Sequence, residues 1–160
     1  AQTGWTTRDL IEALDGHPAA EARFDLVTLL IGVNNQYQGR SLEEYASDYE
    51  ELVGFALGRA GGRADGVYGI SIPDWGRSPF GAQRDPKRIS GEIDAFNRVA
   101  CKVCYAHDIS FIDITTLTRE LGSVVTGFAD DQLHPSGEQL AHWLRVIHRR
   151  VYPVIKRRFA

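Results

Sequence analysis

The sequence predicts an α/β fold built on a parallel sheet. Three observations carry this. Short apolar runs at Asp25–Ile31 (DLVTLLI), Gly66–Ile72 (GVYGISI) and 109–114 (ISFIDI) have strand length. Segments of helical period alternate with them. The first run is nearly all apolar, which predicts a strand buried on both faces, as in parallel sheets. Strand–helix alternation of this kind closes by right-handed crossovers.

The elements follow in order. Thr6 or Thr7 can cap a helix ending at Leu14, with Asp9 in its first turn. After the first strand, Ser41–Arg59 reads as a helix with a Ser41/Glu44 capping box and apolar positions at Leu42, Tyr45, Tyr49, Leu52, Val53 and Ala56. Gly61-Gly62 ends it. The second strand leads into a loop rich in Pro, Gly and aromatics, Pro73–Pro86. A helix over 89–107, the third strand and a short helix near Leu117–Leu121 come next. The last helix begins near Ser136, where Ser136 and Gln139 fit a second capping box. Leu140, Trp143, Leu144, Ile147 and Val151 are expected on one face, and Pro153 is expected to kink or interrupt the helix.

At 160 residues the chain predicts one domain over 1–160. A net charge of −3 calls for neither nucleic acid nor an anionic membrane. No apolar run approaches the roughly 18–20 residues that span a bilayer. The start, Ala1-Gln-Thr-Gly-Trp5, does not read as a signal peptide, and cytoplasmic and secreted locations both fit. There is no methionine, so the chain is expected to begin downstream of its translation start. Cys101, Cys104 and His107 have metal-like spacing, but on one helix they point in different directions and cannot converge on a tetrahedral ion. Buried thiols are expected instead, and no metal or cofactor is implied.

The most informative segment is Phe128-Ala-Asp-Asp-Gln-Leu-His-Pro-Ser136. Asp131 precedes His134 by three residues, and Pro135 with the Ser136 cap locks the exit of the loop. An Asp held beside a His orients the ring, sets its tautomer and leaves the other nitrogen to accept a proton. The first strand runs into Gly32-Val-Asn34-Asn35, where a side-chain amide can donate to an oxyanion, although asparagine also simply suits a turn. Gly4 precedes the first helix, and its N–H is expected at the helix N-terminus as a second donor. The strand ends carry polar residues, where parallel sheets gather their sites.

In this order the pieces resemble the SGNH (GDSL-type) serine hydrolases. Gly4 resembles the glycine of that family's second block. Gly32, Asn34 and Asn35 resemble its third block, with Asn35 where Asp is usual, and Asp131 and His134 resemble its D-x-x-H block. The resemblance implies a three-layer, flavodoxin-like parallel sheet and hydrolysis of carboxylic esters. It implies His134 as base, Asp131 as its orienting carboxylate, and Gly4 N–H with the Asn34 amide as oxyanion hole. Gly32 and Asn35 would support that turn. Trp5, Tyr37, Trp75 and Phe80 could wall an acyl or sugar pocket or could be core.

The family's first block, G-D-S, does not occur. The serines are Ser41, Ser47, Ser71, Ser78, Ser90, Ser110, Ser123 and Ser136, and none follows a strand in that manner. The nucleophile strand is therefore expected upstream of Ala1, and the N-terminal strands are expected to be missing from this chain. A partner segment or complementary fragment is expected to cover the bared edge of the Asp25–Ile31 strand. Two other classes stay open: a non-catalytic SGNH-like binding or structural domain, and a membrane-surface module using the cationic last helix (Arg145, Arg149, Arg150, Lys156, Arg157, Arg158).

Overall fold

The computed structural model describes residues 2–18, 21–122 and 127–159. They fall into two compact units, one made of 1–71 with 95–111, the other of 72–94 with 112–160.

The first unit opens with helix α1 (Thr7–Leu14). Thr6 is its cap: the hydroxyl accepts from Asp9 N–H and the Asp9 carboxylate accepts from Thr6 N–H, completing a reciprocal box. Strand β1 (Val27–Leu29) leads to a short helix α2 (Val33–Tyr37) and then to the long helix α3 (Leu42–Arg59). Strand β2 (Val67–Ile70) pairs with β1 in parallel, Val27 opposite Val67 and Leu29 opposite Gly69. The strands form one sheet in the order β1-β2-β3, where β3 is Ser110–Ile112. The predicted α/β class with a parallel sheet is borne out.

Burial is graded across the sheet. All four residues of β2 are buried. In β1 Thr28 is exposed and Leu30, just past its end, is 41% exposed. The expectation of a first strand buried on both faces therefore fails. β1 is an edge of the three-stranded sheet, and edge residues have neighbours on one side only. The strands are also shorter than the apolar runs that announced them.

Helix α3 supplies the core of this unit. Tyr45, Tyr49, Leu52, Val53 and Ala56 are buried at helical spacing. The Tyr45 ring sits 4.8 Å from Phe96, and its hydroxyl donates to Ile31 O at 3.1 Å. Ser41 caps α3 by accepting from Glu44 N–H. The predicted reciprocal half of this box is replaced by an ion pair of Glu44 with Arg40 at 3.5 Å. Cys104 is buried against Tyr49 OH at 3.8 Å, and burial pushes its thiol up to about 11. His107 turns to Glu50, so Cys101, Cys104 and His107 do not converge.

The second unit contains helices α4 (Pro79–Ala82), α6 (Thr115–Leu121) and α7 (Gly137–Phe159). Helix α5 (Pro86–Ala106) runs through both units. Helix α7 is not interrupted at Pro153, which is exposed. The carbonyl that loses its partner there, on Arg149, belongs to an exposed residue, so water can satisfy it. Trp143 and Val151 are buried, but Leu140 and Leu144 are 42% and 64% exposed. The buried stripe instead runs through Gln139, Trp143 and Val151. Ser136 accepts from Gln139 N–H at 3.2 Å, yet the Gln139 amide is buried and has no partner among the described residues, so the second predicted box is half formed.

Gly69 marks the tightest packing of the sheet. An added Cβ would lie 2.5 Å from Cys104 Sγ and 2.9 Å from the Phe111 ring. Gly69→Ala is expected to destabilise the chain by about 1–3 kcal/mol through overpacking. Urea denaturation checks this, and an unchanged midpoint would show that the sheet can part to admit a methyl.

Candidate active site

The Gly4 loop and the turn after β1 are joined by the amides of α2. Asn35 is buried and spans Thr7: its Oδ1 accepts from Thr7 N–H at 3.0 Å and its Nδ2 donates to Thr7 Oγ1 at 2.7 Å. Thr7 Oγ1 donates onward to Asp48 Oδ2 at 2.8 Å, and Arg8 pairs with the other oxygen of Asp48. Asn34 Nδ2 donates to Trp5 O at 2.9 Å, and Gln38 Nε2 reaches Gly4 O at 3.4 Å. Both polar atoms of Asn35 are thus bonded to Thr7, and the residue is buried, whereas Asn34 is partly exposed. An amide nitrogen carries two hydrogens. In Asn34 the Trp5 carbonyl takes one of them and thereby fixes the direction of the other.

Gly32 makes this turn possible. Its φ is 126°, and a Cβ there would meet the Tyr45 ring at 2.7 Å. Only glycine meets both demands. Gly4 has a φ of 87° and lies two residues before the Thr6 cap. Its N–H is therefore not part of the first helical turn, contrary to expectation. The backbone reversal at Gly4, not the α1 dipole, sets the direction of that donor.

In the second unit the 127–136 loop folds back on itself. Phe128 and Pro135 form an antiparallel bridge, and Ala129 N–H donates to His134 O at 2.8 Å. Gln132 takes a left-handed φ of 62° at the tip. Asp131 organises the turn: Oδ1 accepts from Leu133 N–H at 3.0 Å and His134 N–H at 2.9 Å, and Oδ2 lies 2.5 Å from His134 Nδ1. The backbone bond from Leu133, then the His134 ring and the His134 backbone N–H, hold the Asp131 carboxyl down to about 2. An ionised carboxylate only accepts, so the proton of this contact belongs to Nδ1. In the neutral ring that leaves the lone pair on Nε2, which has no hydrogen-bond partner among the described residues. Both side chains are half exposed or more.

A neighbouring network went unnoticed in the sequence. Asp74 is fully buried and accepts from Gly76 N–H at 3.0 Å, Ser90 Oγ at 2.6 Å and Arg119 Nε at 2.8 Å. Arg119 also pairs with Asp94 at 2.7 Å. This holds the loop that carries Trp75 and Phe80, whose rings are 6.2 Å apart. Phe80 N–H donates to Gln132 O at 3.1 Å, tying that loop to the Asp131/His134 turn. Arg84 stacks over Phe80 at 3.5 Å. Trp75 is buried, Phe80 and Trp5 are partly exposed, and Tyr37 is 54% exposed. The only hint of Asp74 in the sequence was its place after a buried strand. Nothing in the sequence around Arg119 marks Asp74 as its partner.

The serines are accounted for differently. Ser41, Ser78 and Ser136 cap helices, and Ser90 bonds Asp74. Ser71 is buried, Ser47 and Ser110 are exposed, and Ser123 lies outside the described residues. Among the described residues no serine bonds His134.

The architecture has close counterparts among solved structures. An acetylxylan esterase, Axe2, from Geobacillus stearothermophilus superposes with a TM-score of 0.72 at 20% identity, over 92% of this chain and 68% of that one. A lipase/acylhydrolase from Enterococcus faecalis gives 0.69 at 22% identity, over 92% and 71%. LAE5, an alpha/beta hydrolase enzyme from the metagenome of Lake Arreo, Spain, gives 0.73 at 15% identity, over 94% and 70%. No curated relative matches. The fold is that of the SGNH hydrolases. Residues 1–139 match the GDSL-like Lipase/Acylhydrolase family, and the chain belongs to it. Membership supports ester hydrolysis in general.

Two measurements follow from this geometry. Asn35→Ala strands the buried Thr7 N–H and is expected to cost about 1–3 kcal/mol, whereas Asn34→Ala is expected to cost about 1 kcal/mol or less. Urea denaturation of both variants checks the order, and an inverted order would reassign the structural amide. Asp131 is expected to titrate near 2 in the folded chain, against 3.8 ordinarily. Because its folded value is depressed, its contribution is full above 3.8 and lost as pH falls towards 2. Carboxyl carbon chemical shifts in an NMR titration report it directly, and a midpoint at the ordinary value would contradict the three hydrogen bonds.

Proposed function

We propose that the protein is a serine hydrolase of carboxylic esters, acyl or acetyl, in which His134 is the base and Asp131 its orienting carboxylate. The observation that carries the reading is the 2.5 Å contact of Asp131 Oδ2 with His134 Nδ1 in a turn pinned by two backbone hydrogen bonds. The nucleophile is a serine on a G-D-S segment N-terminal to Gly4. His134 Nε2 removes its proton as it attacks the ester carbonyl and returns that proton to the leaving alcohol; it then takes a proton from water, which releases the acyl group as the acid and restores the serine hydroxyl. Asp131 stays ionised and stabilises the imidazolium. The Asn34 amide and Gly4 N–H donate to the oxyanion. Family membership supports this chemistry. So does the description of a serine variant and an aspartate variant of Axe2 as catalytic mutants. The substrate side is one of small esters, and the acetylated xylan named for that esterase is the first to try.

The test is p-nitrophenyl acetate hydrolysis by the chain joined to a G-D-S segment. His134→Ala is expected to remove nearly all activity and Asp131→Ala to leave more, since an orienting group can be less critical than the base. Asn34→Ala is expected to lower kcat roughly 10²–10³-fold. The 160 residues alone are expected to match their own His134→Ala control. Activity in the joined chain that survives His134→Ala would sink the assignment.

A further inference from the structure

The buried Asp74 carboxylate and the Asp131/His134 turn are the two ends of one run of hydrogen bonds, all of it inside the second unit. Asp74 Oδ1 accepts from Gly76 N–H at 3.0 Å and caps the turn Trp75–Arg77. Trp75 O accepts twice from Ser78, from its N–H at 3.0 Å and from its Oγ at 2.7 Å. Ser78 Oγ accepts from Gly81 N–H at 2.9 Å and so caps α4. Ser78 has no exposed surface, and a Cβ on Gly81 would lie 2.2 Å from Trp75 O. Packed this closely, the stretch from Asp74 to Gly81 cannot deform without breaking one of these bonds. Phe80 sits inside it. Its N–H, in the first turn of α4, has no helical partner and donates to Gln132 O at 3.1 Å.

Gln132 needs that bond. Its φ of 62° lies in the left-handed region, which a glutamine enters rarely. Its N–H is held by Ala129 O at 2.9 Å and its carbonyl by Phe80. The next two N–H groups, of Leu133 and His134, are those that Asp131 Oδ1 accepts. A Gln132 relaxed to negative φ would swing both away from Asp131 and cost the His134 ring its fixed partner. At the other end of the run, Asp74 Oδ2 is set by Ser90 Oγ at 2.6 Å and Arg119 Nε at 2.8 Å. Arg119 Nη2 also donates to Asp94 Oδ1 at 2.7 Å and to Ser90 O at 3.2 Å. One planar side chain on α6 thus joins α5 to the head of the loop, and a lysine ammonium has no such fork.

We propose that Arg119 is a positioning residue for His134, acting through Asp74, the 74–81 loop and the left-handed Gln132. It touches neither the substrate nor the reacting atoms. The inference rests on His134 being the catalytic base, and adds that the geometry of that base is set from α6. An Arg119 with a purely structural role would change stability alone. A positioning Arg119 changes the Asp131–His134 contact, and with it kcat rather than KM, in a chain that stays folded.

The test has two arms. In the 160-residue chain, NMR follows the Asp131 carboxyl titration and the His134 ring nitrogens, with far-UV circular dichroism to show that each variant folds. Arg119→Gln is expected to raise the Asp131 midpoint from about 2 towards 3.8 and to lessen the Nδ1–H form of the ring. Arg119→Lys keeps a positive charge beside Asp74 and serves if Arg119→Gln does not fold. It is expected to move both signals the same way by less. Val151→Ala opens a cavity in α7 away from the network and lowers stability, and is expected to move neither signal. In the chain joined to a G-D-S segment, the Arg119 variants are expected to lose roughly tenfold or more in kcat for p-nitrophenyl acetate, with KM within about twofold. The proposal is overturned if the folded Arg119 variants leave both signals where they are, or if Val151→Ala moves them as far. A change confined to KM overturns it too. A joined wild type without activity would instead overturn the hydrolase reading, and the NMR arm would still decide whether Arg119 positions His134.

Discussion

The buried contact of Asn35 with Thr7 is the constraint on which the first unit depends. It joins residues 28 apart in sequence and uses both polar atoms of one side chain. Each bond is worth about 1 kcal/mol net, but stranding a buried donor costs more than the bond contributes. That asymmetry makes the arrangement all-or-none. Asp48 extends it, since its buried carboxylate is balanced by Thr7 Oγ1 and Arg8. With Thr7 held, α1 starts at a defined place and the Gly4–Thr6 loop lies across α2. The second hydrogen of the Asn34 amide is directed by the bond to Trp5 O, and the Gly4 N–H by the backbone reversal at Gly4.

The second unit solves the same problem with charge. Asp74 has no exposed surface and would be untenable alone. Three donors converge on it, and one belongs to Arg119, whose guanidinium is held charged by Asp74 and Asp94 against the cost of its partial burial. Breaking such a group leaves an uncompensated charge, so the network holds geometry more firmly than it adds stability. The Trp75–Phe80 loop rests on it, and through Phe80 N–H and Gln132 O the Asp131/His134 turn is steadied from the side. The ion-pair part of Asp131–His134, by contrast, is exposed and worth little in itself. Its geometry comes from the Asx-type bonds to two backbone N–H groups.

Local chemistry was legible wherever it acts over a few residues. The Ser41 cap, the turn at Gly32 and the Asp131-to-His134 spacing depend on neighbours in sequence, and each occurs where the residues said, while of the two threonines that could cap α1 it is Thr6 that does, in a box with Asp9. Exposure was not legible. Leu140 and Leu144 share a helical face with Ile147, and nothing local says that the neighbouring stripe through Trp143 is the one that packs. Thr28 and Leu30 sit in an apolar run whose burial depends on how many strands flank it. Pro153 lacks a donor, yet the helix runs on through it, where Arg149 and Pro153 are both exposed residues.

By itself the sequence determined the α/β alternation, the helix starts, the glycine turns and the one short segment that can set an imidazole's tautomer. Those are properties of periodicity, capping and backbone sterics, which operate within a turn or two. Tertiary structure alone decided which asparagine is buried against Thr7 and which stays partly exposed beside the Trp5 carbonyl, because that depends on Thr7 and Trp5 arriving from far upstream. It decided that Asp74 and Arg119 belong together, 45 residues apart. Distant partners and burial are settled by the packed chain, and no local pattern encodes them.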